Sequence, residues 1–381
     1  MSMVDVNAYL ERLKTLVNIE SGSTNPEGIN QVNDVLERWY REIGWNVTRH
    51  DLGEKTGHVL EISNRVSDHY DVMFIGHTDT VFPLGTVSER PFSRDELNAY
   101  GPGVADMKNG DVAMYEVATH LSKQALEQLN ICMVYNPDEE IGSIYSKECV
   151  GKIGQKSDYI YVMESCEENN THCFARKGML RYTFDFTGKA AHSGFMFQRE
   201  HASAVLEMAH YIKTLSALSS KEKDTTVNVG TASGGIATNV VPEKATISVE
   251  MRFKTIAEKE RLLNSVKTLL EAPSFVPGVK VSVTSLHICE PWERSVTGDA
   301  HMKNMQEIAQ TNGIVFNQRD RGGLSDANHL STYGAVCCDG MGPFGDLDHS
   351  DKEYTIIDSI NPCVELLCKV LEALAQSNAN Q

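Results

Sequence analysis

Five short stretches of this chain concentrate residue types that bind divalent cations. They are Gly76-His77-Thr78-Asp79-Thr80-Val81, Gly101-Pro102-Gly103-Val104-Ala105-Asp106-Met107-Lys108, Asp138-Glu139-Glu140-Ile141-Gly142-Ser143, Met163-Glu164-Ser165 and Leu347-Asp348-His349-Ser350. Each follows or ends a predicted strand, and loops at the carboxyl ends of parallel strands converge on one crevice. The chemistry such a set could carry is hydrolysis of an unactivated amide. That reaction needs a polarised carbonyl and a water ionised near neutral pH, and two divalent ions about 3.5–4 Å apart supply both. A carboxylate between the ions offsets their repulsion, and a further carboxylate must take and return a proton. Zinc accepts imidazole and carboxylate together, which suits two histidines among several acids, although cobalt or manganese could use the same ligands.

The elements that must position these stretches read as two styles of structure. Helical spacing of apolar residues appears near 5–17, 28–43 and 109–123, and short apolar runs predict buried strands at 71–76, 131–136 and 158–164. Buried strands separated by helices imply a largely parallel sheet covered by helices. After Gly178 the pattern changes: Leu180, Tyr182, Phe184 and Phe186 alternate with polar residues, as do Ala245, Ile247, Val249, Met251 and Phe253. With helices near 202–218 and 256–271 and strands near 225–231 and 279–289, the order is βαββαβ, a ferredoxin-like unit. From about Pro291 the α/β style returns, with a helix near 300–312, a strand at 335–338 and a closing helix near 358–375; the tail from Gln376 reads as frayed. The predicted fold is therefore an α/β domain, residues 1–178 and 291–381, interrupted by an inserted domain, residues 179–290.

Bulk properties exclude several classes. The 381 residues carry 35 basic and 52 acidic side chains for a net charge of −17, which speaks against a nucleic-acid or anionic-membrane partner. No window approaches the ~18 apolar residues of a membrane span. Nine cysteines without CxxC spacing suggest a reducing cytoplasm and no disulfide framework, with a trimmed export signal as the alternative. His50, His58, His69, His120, His210, His287 and His301 have no motif context and read as surface or structural.

The five stretches, in this order and with this insertion, resemble the M20 metallopeptidases over roughly residues 5–375, especially the glutamate carboxypeptidase (carboxypeptidase G-like) branch. The resemblance implies two zinc ions per subunit: one held by His77 and Glu164, the other by Glu140 and His349, with Asp106 bridging. It implies Glu139 as general base and Asp79 as the group fixing the ring and tautomer of His77. In the insertion, Ala191-His192-Ser193-Gly194 resembles the segment whose histidine supports the oxyanion in the partner subunit's active site. The loop Gly234 to Pro242 resembles one carrying a substrate-contacting residue, here Asn239. Arg252 matches an arginine that clamps the substrate carboxylate, whose geometry a guanidinium fork fits. Gly322 and Gly323, in Arg321-Gly322-Gly323-Leu324-Ser325-Asp326-Ala327, would offer backbone N–H groups to the same carboxylate. A homodimer formed through the inserted domain, which would also act as a lid, follows from the same resemblance.

Taken singly, each motif has a bland reading: an Asp-Glu-Glu run is usually a solvated turn, and Arg252 could be the polar half of an alternating strand. One stretch departs from the glutamate-releasing pattern. Phe195-Met196-Phe197-Gln198-Arg199-Glu200 is bulkier and more apolar than the small residues usual there. The expected activity is cleavage of a peptide or N-acyl amide bond beside a free carboxylate, with release of glutamate or a similar amino acid. The alternatives are an N-acyl amino acid deacylase or dipeptidase on the same metals, and, from another class, a catalytically silent metal-dependent binding protein.

Overall fold

The computed structural model describes residues 3–379, apart from the side chains of residues 285–287, so the reading of His287 lies outside the described residues. The chain divides into two compact units: Met1–Phe174 with Arg294–Asp320 and Ser325–Gln381, and Ala175–Glu293 with Arg321–Leu324.

The first unit is built on a six-stranded sheet in the order Asn46–His50, Val59–Ser63, Ile131–Asn136, Tyr70–His77, Ser157–Val162, Val336–Cys338. The last four strands run parallel, and the first two pair antiparallel at one edge. Continuous apolar runs make the central strands fully buried: all six residues of Ile131–Asn136 lack exposure. Helix Lys108–His120 lies on this sheet with every residue from Lys108 to Ala118 buried. Helices Val6–Val17 and Ile360–Ala379 pack against it; the first is capped by Asp5, whose side chain accepts from the Asn7 and Ala8 N–H groups. The closing helix runs through Ala379, past the tail expected from Gln376, because its apolar stripe, ending in buried Ala375, carries the polar last turn.

A second, small sheet was not predicted. Its strands Gly345–Asp346, Tyr354–Ile356, Asn98–Tyr100 and Ser93–Arg94 are two or three residues long, too short to show a period. The polar edge strand Asn46–His50 and helix Lys147–Gly154 were also beyond the sequence patterns.

The other unit is a four-stranded antiparallel sheet ordered Thr226–Gly234, Lys244–Phe253, Gly178–Thr187, Lys280–Cys289, with helices Ala204–Ser216 and Ile256–Glu271 between strands in chain order. Alternation along the two central strands puts Leu180, Phe184, Phe186, Ile247, Val249, Met251 and Phe253 into its own core with Tyr211, Leu262 and Val266.

Two close backbone approaches fix where the strand ending at Val162 delivers its next residues. A Cβ on Gly110 would lie 2.0 Å from the Met163 carbonyl oxygen, and one on Gly342 would lie 2.4 Å from the same atom. Gly110→Ala therefore has to move helix or strand, and we expect a loss of about 1–3 kcal/mol in the unfolding free energy. Urea denaturation of the metal-free protein checks this; an unchanged midpoint would show that the contact yields freely.

Candidate metal centre

Three adjacent parallel strands bring their carboxyl ends to one edge of the large sheet. Tyr70–His77 ends in His77 itself, Ile131–Asn136 leads into the 3-10 turn Glu139–Ile141, and Ser157–Val162 is followed by Glu164. Asp106 lies on the loop between strand Asn98–Tyr100 and helix Lys108–His120, and His349 on the loop joining two strands of the small sheet. The His349 loop is tightly wound: Leu347 and His349 have φ of 59° and 61°, in the left-handed region that non-glycine residues seldom occupy. Ser350 fastens it, its Oγ donating to the Leu347 carbonyl at 2.7 Å.

The five expected ligands meet. His77 Nε2 lies 2.9 Å from Asp106 Oδ1 and 3.6 Å from Glu164 Oε1. His349 Nε2 lies 3.0 Å from Asp106 Oδ2 and 3.2 Å from Glu140 Oε2. Each oxygen of Asp106 thus faces a different imidazole. Ligand atoms of His77, Asp106 and Glu140, and likewise of His77, Glu139 and Glu164, lie within 4.8 Å of one another.

Asp79 is buried behind this group and ties its parts together. It lies 3.4 Å from His77 Nδ1 through Oδ1, while Nδ1 also sits 3.0 Å from the Asp79 carbonyl. Its two carboxylate oxygens accept the N–H groups of Glu139 at 3.1 Å and Glu140 at 3.2 Å. Ser23 Oγ donates to Asp79 Oδ2 at 2.7 Å, a partner 56 residues away that no local pattern marked. Asp326 holds the same turn from the other side. It accepts from Ser143 Oγ at 2.9 Å and from Asn136 Nδ2 at 2.8 Å. The stretch containing Asp326 was singled out in the sequence, but for its glycines.

The electrostatics are those of a site with too many acids. Burial pushes the Glu139 carboxyl well above the ordinary range, with Glu164, Asp326 and Glu140 adding to the rise and His77 opposing it. Burial also raises Glu140. For Asp106 burial acts upward too, yet the hydrogen bonds from His349 and His77 outweigh it and hold the carboxyl below its usual range. The reciprocal effect pushes His349 up to about 11, through its bonds to Asp106 and Glu140. His77 is raised despite burial, by its bonds to Asp106 and Asp79. Glu140 Oε1 is buried with no hydrogen-bond partner. Four carboxylates, one of them with an orphaned buried oxygen, and two imidazoles form a donor set that fits hard-to-borderline divalent cations.

The remaining expected residues all lie in the second unit. His192 is exposed, and its Nδ1 accepts the Gly194 N–H at 3.1 Å. The loop of Asn239 is zipped to it, the Ser193 N–H donating to the Asn239 carbonyl at 2.9 Å. Arg252 and Gly322 also meet: the guanidinium donates to the Gly322 carbonyl at 3.3 Å and, through Nε, to Glu250 at 2.8 Å. Gly323 follows in the same loop, beside the Arg176 guanidinium. Phe195, Met196 and Phe197, the stretch that departs from the glutamate-releasing pattern, are exposed, and the Phe195 ring lies 5.4 Å from that of His192.

The sequence profile of Peptidase family M20/M25/M40 matches residues 73–373. Carboxypeptidase G2 of Pseudomonas sp. is 27% identical over 365 residues, covering 93% of this chain and 86% of that protein. Succinyl-diaminopimelate desuccinylase of Parvibaculum lavamentivorans is 26% identical over 376 residues, with 91% of each chain covered. The fold matches aminopeptidase PepT of Bacillus cereus with a TM-score of 0.81 at 22% identity, over 98% of this chain and 100% of that one. An M20 family metallo-carboxypeptidase of Sulfolobus solfataricus matches with a TM-score of 0.73 at 16% identity, over 97% and 99% of the two chains. M20 family metallopeptidases depend on metal, and the cluster around Asp106 is the candidate metal-binding site of this chain. With the family's profile matched over most of its length, the chain belongs to Peptidase family M20/M25/M40, a family of metal-dependent hydrolases.

Proposed function

We propose that this protein hydrolyses a peptide or N-acyl amide bond next to a free carboxylate, using two divalent ions, zinc by default. The observation that carries the reading is the Asp106 carboxylate with one imidazole at each of its oxygens, at 2.9 and 3.0 Å. That arrangement suits a bridging ligand, with His77 and Glu164 holding one ion and Glu140 and His349 the other. Bound there, the ions would polarise the scissile carbonyl and acidify a water.

The protein's own groups have separate tasks. Glu139, half-buried with its carboxylate close to the ligand atoms of His77 and Glu164, takes the proton of the attacking water and returns it to the leaving amine. Asp79 keeps the His77 ring in place and anchors the Glu139 and Glu140 N–H groups, so the base and two ligands share one support. Arg252 and the Gly322/Gly323 loop receive the substrate carboxylate, with Asn239 as a further substrate contact, and His192 donates to the developing oxyanion. The inserted unit, residues 179–290 by its sequence pattern, serves as lid and as dimer interface.

Release of glutamate or a similar amino acid is the favoured substrate assignment, in line with the carboxypeptidase G2 similarity. The second reading, an N-acyl amino acid deacylase or dipeptidase, is favoured by the exposed Phe195, Met196 and Phe197 beside His192. A panel of N-acyl amino acids and dipeptides, incubated with zinc-loaded protein and followed by mass spectrometry, separates them. Preferential release of glutamate supports the first, and turnover confined to other members supports the second. Members lacking the α-carboxylate should not be cut.

Two predictions follow from the roles assigned. Glu139→Gln should keep its metal content, by elemental analysis, and lose about 10²–10⁴-fold in kcat; near-normal turnover would remove Glu139 as the base. The second concerns protons. Asp106 and its neighbours hold His77 and His349 protonated in the metal-free protein, so an incoming cation must displace those protons. Zinc affinity should therefore rise between pH 6 and 8, by about tenfold per unit for each proton displaced. Calorimetry in buffers of different ionisation enthalpy should show net proton release, and a pH-independent affinity would contradict the assignment.

A further inference from the structure

Asp106 and His349 both sit on loops, so something other than a regular element must hold them in register. The buried side chain of Glu353, four residues beyond His349 in the chain, reaches the loop of Asp106. Its Oε2 accepts the Gly103 N–H at 3.0 Å, and its Oε1 accepts the N–H groups of Ala105 at 2.8 Å and Asp106 at 3.0 Å. Glu353 follows His349 by four residues and immediately precedes strand Tyr354–Ile356, which pairs with Asn98–Tyr100 through Tyr354 and Tyr100. The carboxylate is 1% exposed, and the loop's convergent N–H groups form the kind of concave nest that stabilises a buried anion.

The same loop has a second fastening. Ser165 Oγ donates to the Ala105 carbonyl at 2.7 Å, so the Ala105 peptide is gripped on its N–H side by Glu353 and on its carbonyl side by the residue next to Glu164. The two grips divide the site. The Ser165 contact ties Asp106 to the Glu164 side, and the Glu353 contact ties it to the His349 side.

We infer that Glu353 is a positioning residue that sets the spacing between Asp106 and His349, and through it the affinity for the ion between Asp106, Glu140 and His349. This rests on the two-ion reading above. In Glu353→Gln one oxygen remains, but an NH2 group replaces the other and is brought against a backbone N–H, so the loop has to shift. The His77/Glu164 side keeps its own fastening through Ser165.

The test is stepwise zinc binding to the full-length protein by competition with a chromophoric chelator, beside thermal unfolding of the metal-free form. We expect one of the two equivalents to weaken about 10–100-fold in Glu353→Gln, the other to stay within about threefold, and the metal-free midpoint to move little. Glu353→Asp keeps the charge but is too short to reach all three N–H groups. It should also weaken one equivalent, by less, and it decides the question if the Gln variant does not fold. Parent-like affinity for both equivalents in the variant tested would overturn the inference and leave the two-ion reading standing. A loss of both equivalents together with a large drop in metal-free stability would assign Glu353 a structural role instead. A parent protein that binds fewer than two ions would overturn the two-ion reading and the inference with it.

Discussion

Asp106 carries an imidazole on each of its oxygens, with Glu140, Glu164 and Glu139 close around it. Such a gathering of like charges is unfavourable in a buried place unless cations or protons relieve it. In the protein alone the bonds to Asp106, Asp79 and Glu140 push the imidazoles of His77 and His349 upward, toward their protonated forms. Much of the surrounding structure can be understood as the scaffold that keeps this repulsive group assembled until a metal replaces the protons.

That scaffold works through backbone groups more than through salt bridges. The parallel strands set His77, Glu139, Glu140 and Glu164 along one edge, and close contacts at Gly110 and Gly342 prevent the Met163 segment from drifting. Asp79 uses both of its oxygens on the N–H groups of Glu139 and Glu140 and on the Ser23 hydroxyl, so one buried carboxylate steadies the turn that bears Glu139 and Glu140. Asp326 does the same from the Ser143 side. The side chains proposed to act on a substrate are thereby distinct from those that hold them, as a preorganised site requires.

The parts legible in the sequence were those with a periodic or compositional signature. The buried strands ending near His77 and Asn136 were visible because each holds an unbroken apolar run, at 72–76 and 131–135, and the alternating strands of the second unit because each has one wet face. Of the five candidate ligands, His77, Glu140 and Glu164 stand at or just after such strands, while Asp106 and His349 were marked by their short motifs alone. What escaped has no such signature. Asn46–His50 has a single apolar residue, Val47, among four polar ones and pairs at the sheet edge. The two- and three-residue strands of the small sheet form two local pairs, joined into one sheet by a pairing between segments about 250 residues apart, Tyr354 with Tyr100. Ser23 and Glu353 look like ordinary polar loop residues in the sequence, and their importance arises entirely from contacts made across long separations.

The most direct test of the central claim is a crystal structure of zinc-loaded protein with anomalous data collected at the zinc edge. The account predicts two anomalous peaks, one on each side of the Asp106 carboxylate, the first beside His77 and Glu164 and the second beside Glu140 and His349. A single peak, or peaks that leave Asp106 uncoordinated, would contradict it.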